Sequence, residues 1–554
     1  MSTSLGYGFA MDMRNGIPNV ITSGIDYEAD YQRVTLNDQA NTECYVSLGY
    51  DSNVDRVTFD SPNICLDVAT MNLPNQQAGS GLPDVIVTAM AGHQPLIVSL
   101  EYGTEEFSQS TLVDAALLPT RYFPAVMTTD KLGGVYVALH PTHGTFIAPA
   151  APGQGDTNNQ AEEMRSTWFF LEQMTRPAPI FVEPNITDLD HSPKIVKYNM
   201  LTKDTEWIHT LDTQNGKALV SGMAISQLRN KLVIVGSASG SGPGIGAGAV
   251  SDGDWDGFLT VLDMDKGDLK TGDWNLTYNA LHSTRIRTQK NIDDVVFNVC
   301  VSGDKAYVVG TTQGRFVGDI NGGAFILKYD IDTLSVLWVK QIAGRGVEAM
   351  HCAILDEQLY VGGSVPPGIL LDNRKSEASK ETHDIFVAKL SATSGDVEFL
   401  RQIDSLRDDE LIGMAINPSN QHVLLSANAR DFATGKTVIF TMDMDQDGNN
   451  DWEALAPGID PFTGLNAETT TPPTVADTPA SAGDEDADPE GGDSDDWVIA
   501  AAISIPAVIL LVVTCYYFCF VSTAQVPLDY PDDPTYGNAA EDTELEVVGG
   551  ASVI

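Results

Sequence analysis

Between Val126 and Trp452 the chain repeats short Val/Ile/Tyr-rich runs separated by turns of Gly, Asp, Asn and Ser. Apolar runs this short, bounded by turn residues, predict β-strands rather than helices. Three segments share one internal pattern: VKYNMLTKDTEW (196–207), LKYDIDTLSVLW (327–338) and AKLSATSGDVEF (388–399). Each has a Lys followed by Tyr or Leu and, nine residues later, an aromatic: Tyr198 to Trp207, Tyr329 to Trp338, Leu390 to Phe399. Looser copies occupy 258–274 and 438–452. Upstream of these lie paired apolar runs. GMAISQLRNKLVIVGSA (222–238) aligns without a gap to GMAINPSNQHVLLSANA (413–429), and 126–139, 299–312 and 352–365 have the same form. The unit therefore reads strand, short turn, strand, variable loop, strand, Asp-rich turn, strand. Clear units begin near Val126, Ser221, Val295, Glu348 and Leu411, and a weaker one covers 83–107.

Four antiparallel strands in a unit of about 40–75 residues is the pattern of a propeller blade. The expected fold is all-β, a β-propeller of about six to seven four-stranded blades over 83–456. The segment 1–82 is partly irregular in sequence and is a candidate to complete the ring. Short strands with turn signals also suit an array of two-sheet sandwiches, the alternative architecture. The segment AYVVGTTQGRFVGDINGGAFILKYDIDTLSVLWVKQIAG (306–344) resembles the β-propeller repeat family whose units read YVxGxT, then GG and DAFxxKYD, then LW. LYVGGSVPPG and THDIFVAKLSATSGDVEFLRQI continue the likeness from Leu359 to Ile403, whereas 219–274 and 411–456 follow it loosely. The resemblance implies a propeller and says little about chemistry, because fold does not determine function.

One stretch breaks the pattern. Trp497 to Val521 runs without a charged residue, about 37 Å as a helix at 1.5 Å per residue, and predicts a single transmembrane helix. Before it, 457–496 combines a Thr/Pro run with DEDADPEGGDSDD, a composition that buries no core and suits a disordered stalk. After it, 522–554 reads as a disordered acidic tail, assigned to the cytoplasm. From Pro457 onward there are 18 acidic residues and no Lys or Arg, leaving 58 acids against all 31 bases in the rest of the chain. A surface this acidic repels phosphate backbones, so nucleic acid is not an expected partner. Without flanking Lys or Arg the positive-inside rule is silent, and no signal peptide is visible at the N-terminus. The stalk, with sequons at Asn185 and Asn275, favours an extracellular or lumenal domain over a cytosolic one held by a tail anchor.

Six cysteines include four outside the membrane segment, Cys44, Cys65, Cys300 and Cys352, whose pairing the sequence leaves open. The most specific motif is DMDQDGNND, 443–451. Alternating carboxylates on a curling loop can supply the six to eight oxygens Ca²⁺ requires. The candidate ligands are Asp443, Asp445, Asp447 and Asp451 through side chains and Asn449 through its carbonyl. The loop resembles the calcium hairpins of integrin-type propellers. It departs from an EF-hand in having Ala454 at position twelve and strands on either side. The competing reading is a plain acidic turn. HPTH (140–143) has a His pair at metal spacing without a third ligand nearby and reads as a turn. Cys515 and Cys519 are candidates for palmitoylation, and the C-terminal ASVI for a PDZ contact through Ser552 and Ile554. The expected function is a non-catalytic single-pass cell-surface protein binding a protein or glycan partner. The alternative is a propeller hydrolase or oxidoreductase with its site in the central channel.

Overall fold

The computed structural model describes residues from Ser2 to Asn450 in segments. The stretches 29–41, 72–82, 142–191, 239–254 and 265–281, several shorter loops and everything from 451 onward lie outside the described residues. The chain divides into two units, Met1–Ala467 with Leu545–Ile554, and Glu468–Glu544, the second wholly outside the described residues.

Seven sheets follow one another along the chain, six of four strands and one of three, each ordered as its strands occur in sequence. Blades 1 to 7 open with Ser2–Arg14, Ile64–Thr70, Tyr122–Thr129, Ala218–Ser226, Asp294–Ser302, Glu348–Leu355 and Asp408–Ile416. Each opening strand lies against that of the next blade, and Asp408–Ile416 lies against Ser2–Arg14, which closes a seven-bladed ring. The N-terminal stretch, where the repeat is faint in sequence, forms the regular blade 1 (Ser2–Phe59), and Ile64–Thr70 supplies the first strand of the weak unit at 83–107. In blade 4 the fourth strand is His282–Ile286, beyond the segment around Trp274 that the loose repeat suggested, because its connection (265–281) is longer than in the other blades. Among the described residues there is no helix, and so none long and apolar enough to cross a membrane; 457–554, with the predicted stalk, span and tail, is not among them.

All seven innermost strands are interrupted at the same level, as a register shift against the second strand: at Gly6/Gly8, Cys65/Val68, Pro124/Val126, Val220/Gly222, Val296/Asn298, Ala349/His351 and Leu411/Gly413. A bulge adds twist to a strand, which suits the strands packed most tightly around the axis. Residues just past it meet the neighbouring blade. A Cβ at Gly222 would stand 2.8 Å from Asn298 Cα, so only glycine permits that approach.

The sequence repeat has a packing explanation. In blade 5 the Lys328 ammonium lies over the Tyr307 ring, 5.4 Å from its centroid, and Trp338 packs 6.1 Å away. Lys328 Nζ, Trp338 Nε1 and Tyr307 Oη all donate to one acceptor, the Ala392 carbonyl of blade 6. Blade 6 repeats this with Lys389 over Tyr360 beside Phe399, and Lys389 reaches the Gln446 carbonyl of blade 7. Blade 3 does so with Lys197, Tyr136 and Trp207, its lysine reaching the Met264 carbonyl of blade 4. The Lys-to-aromatic spacing is thus a blade-to-blade clasp. Two disulfides also join neighbours: Cys44–Cys65 between blades 1 and 2, and Cys300–Cys352 between blades 5 and 6.

Candidate functional site

The loop 443–450 closes the last described hairpin of blade 7. Asp443 pairs with His422, Oδ1 to Nδ1 at 2.8 Å. Asp445 Oδ1 accepts the amides of Asp447 and Asn449 at 2.9 and 2.8 Å, and its Oδ2 accepts the Asn449 side-chain amide. These donors hold the Asp445 carboxyl below its usual range, against a desolvation effect that raises it and is the largest single influence. The Asp447 side chain is exposed, its carbonyl accepting from Arg401, and Gly448 takes φ +78°, the left-handed geometry this turn requires. A carboxylate has about four acceptor sites, so these bonds suit a plain acidic turn and equally a turn that also holds a cation. Among the described residues no three His, Cys, Asp or Glu side chains come together to hold a metal, and Asp451 lies outside them, as do Asn185 and Asn275.

The innermost strands carry a second group of candidate side chains. Leu219, Phe297 and Met350, from the innermost strands of blades 4, 5 and 6, share one apolar cluster with Trp255 and Val295. The cluster lies at the opening ends of these strands, where the Trp255 amide donates to Asp293. Polar groups on the innermost strands serve blade-to-blade contacts. Asp67 accepts the amides of Val68 and of Met127 in blade 3, and burial raises its carboxyl to about 7. Asn298 Nδ2 and His351 Nδ1 are 3.3 Å apart across blades 5 and 6. Ser221 Oγ donates to the Val296 carbonyl. His140, the first residue of HPTH, accepts the Val220 amide of blade 4 at 2.9 Å, and burial keeps it neutral with a pKa of about 4.

A third feature has no counterpart among the motifs read from the sequence. Antiparallel order places the first-to-second and third-to-fourth hairpins of every blade at one end of the ring. On blades 3 and 4 their tips carry Leu132, Leu201 and Leu228, exposed to 66%, 56% and 71%. Turn tips ordinarily take Gly, Asn, Asp or Ser. Single leucines in a sequence do not reveal that they sit on adjacent turns, so periodicity could not have found them.

No family model matches the chain, and no curated protein matches it. Among solved structures it is similar to the Dos1 propeller, at 9% identity and TM-score 0.37 over 72% of this chain and 74% of that one. It is also similar to Raptor of Chaetomium thermophilum, at 10% identity and TM-score 0.40 over 81% of this chain and 28% of that one. A luciferin-regenerating enzyme aligns at 11% identity and TM-score 0.32 over 73% of this chain and 98% of that one. Likenesses at this level bear on neither activity nor partners, and the seven-bladed ring rests on its own strand pairing.

Proposed function

We propose that the chain is a non-catalytic partner-binding propeller displayed on the outer or lumenal side of a membrane, held there by 497–521. The observation that carries the choice of binder over enzyme is that polar groups of the innermost strands, Asp67, Asn298 and His351, are engaged between adjacent blades. A channel enzyme needs solvated, convergent acid, base or electrophilic groups there. The two disulfides between blades support an oxidising compartment, where such bonds persist. Calcium at 443–451 is a separate proposal, resting on the alternation of Asp443, Asp445 and Asp447. The test is cross-linking of the full-length protein in its own cells, with and without glycosidase. A mobility shift and a discrete cross-linked partner, both retained in His351→Ala, are expected. An unshifted protein, or a hydrolase or oxidoreductase turnover lost in His351→Ala at unchanged Tm, overturns the reading.

A further inference from the structure

Resting on that partner-binding reading, we infer that the hairpin face of blades 3 to 6 is the docking surface, and that it takes a peptide segment of a partner protein with aliphatic side chains next to Lys or Arg. The three leucines form one platform. The Gly133 carbonyl accepts the Met200 amide at 2.9 Å, tying the turn of Leu132 to that of Leu201. Gln227 Nε2 donates to the Asp130 carbonyl at 3.0 Å, tying the turn of Leu228 to that of Leu132.

Each turn is also braced from within. Asp130 Oδ1 accepts the Leu132 and Gly134 amides, Asn199 Oδ1 accepts those of Leu201 and Thr202, and the Ser226 carbonyl accepts that of Arg229. Lys131, Lys203 and Asn230 hold the left-handed corners with φ of 62°, 57° and 53°. The apolar tips are therefore preorganised, which lowers the ordering cost of binding. Lys131 turns inward to the Thr70 carbonyl, Arg229 is held by Asp304 and Asp332, and Lys203, exposed beside Leu201, has exposed Asp204 as its neighbour, so the platform carries no net excess of positive charge.

The same face changes character on the next blades. The corresponding turns of blades 5 and 6 carry Asp332, paired with Arg229, and exposed Asp356, Glu357 and Asp396 instead of leucine. An apolar platform running into an acidic arc is complementary to a segment that is apolar at one end and basic at the other. A second copy of this face would bring carboxylates against carboxylates, an anionic membrane would be repelled by the arc, and a glycan would meet aliphatic rather than aromatic surface.

The probe is a phage library of random dodecapeptides panned on the immobilised full-length protein and counter-selected on Leu132→Ser/Leu201→Ser/Leu228→Ser. These tips are exposed, so the variant is expected to keep the wild-type Tm. Enriched peptides are expected to pair Leu, Ile, Val or Phe with neighbouring Lys or Arg. They should bind wild type at least about tenfold more tightly than the leucine variant, the effect of losing one well-buried aliphatic contact. Their affinity should fall with salt, and fall less steeply for Asp356→Asn/Glu357→Gln/Asp396→Asn. No enrichment, equal binding to the leucine variant, enrichment of acidic peptides, leucine-dependent flotation with lipid vesicles, or leucine-dependent self-association in sedimentation each overturns the inference. A leucine variant that still cross-links its partner in cells overturns this surface alone, whereas a wild-type protein with no partner overturns the reading beneath it.

Discussion

Asp294 opens the innermost strand of blade 5 with no exposed surface, its carboxyl surrounded by the hydroxyls of Thr288 and Thr312 and near the carboxyl of Asp256. Burial raises it to about 7, and Asp256 adds to the shift. A carboxyl whose folded pKa lies above its unfolded value stabilises the fold below the unfolded pKa, and that stabilisation is lost as pH rises through the folded one. For Asp294 the window runs from about 4 up to about 7. Asp67 and Asp409 act in the same sense. His140 and His209, buried with pKa values lowered to about 4, act oppositely: their contribution is lost as pH falls from about 6.5 toward 4. The carboxyl contribution is therefore read as a difference. In urea unfolding, Asp294→Asn should lose stability relative to wild type at pH 5 and recover at least about 1 kcal/mol of the gap at pH 7.5, a tenfold change in proton affinity being worth about 1.4 kcal/mol. A gap independent of pH would show that Asp294 is ionised in the fold. None of this was legible in the sequence, where Asp294 is one of two adjacent aspartates in a loop-like stretch; its titration depends on strands and loops that only the ring brings together.

At the scale of the element, the strands and their turns were legible and the meaning of the repeat was not. Alternation and turn residues mark the hairpins of blades 3 to 7, because each strand buries one face against the next blade and must alternate or run apolar. The Lys-to-aromatic spacing was visible as a recurrence, but its role as a clasp appears only with the Ala392, Gln446 and Met264 carbonyls in place, each supplied by the following blade. The 443–451 loop is the opposite case: the motif was plain, and the structure adds that Asp445 also braces the turn through its amides. Asp445→Ala is expected to cost about 1 kcal/mol, the worth of a side-chain cap on turn amides. A loop that only turns the chain would show that loss equally in excess chelator and in millimolar calcium. A wild-type Tm that rises with calcium, and a variant Tm that does not, would make the loop a cation site.

The whole molecule depends on how the ring closes. Blade 1 is built entirely from N-terminal residues and the three described strands of blade 7 from C-terminal ones, so among the described residues no strand is exchanged across the seam. Asn428, buried in the second strand of blade 7, clasps Gly6 of blade 1: it accepts the Gly6 amide at 3.0 Å and donates to the Gly6 carbonyl at 3.2 Å. A Cβ at Gly6 would come within 2.5 Å of Ile412 Cδ1, so a larger residue there would have to push that side chain aside. Removing the clasp strands a buried backbone donor and acceptor, and Asn428→Ala should cost about 1–3 kcal/mol. Hydrogen exchange should speed up first in Ser2–Arg14 and Asp408–Ile416; uniform acceleration in all blades would show that the seam is no weaker than the rest. The sequence by itself determined the strand class, the repeating unit and the polarity of its turns, since these follow from local alternation and turn chemistry. The blade count, the seam, the disulfide pairing and the leucine platform were decided by tertiary structure. Each joins residues far apart in the chain, and no local pattern encodes which blade is next to which.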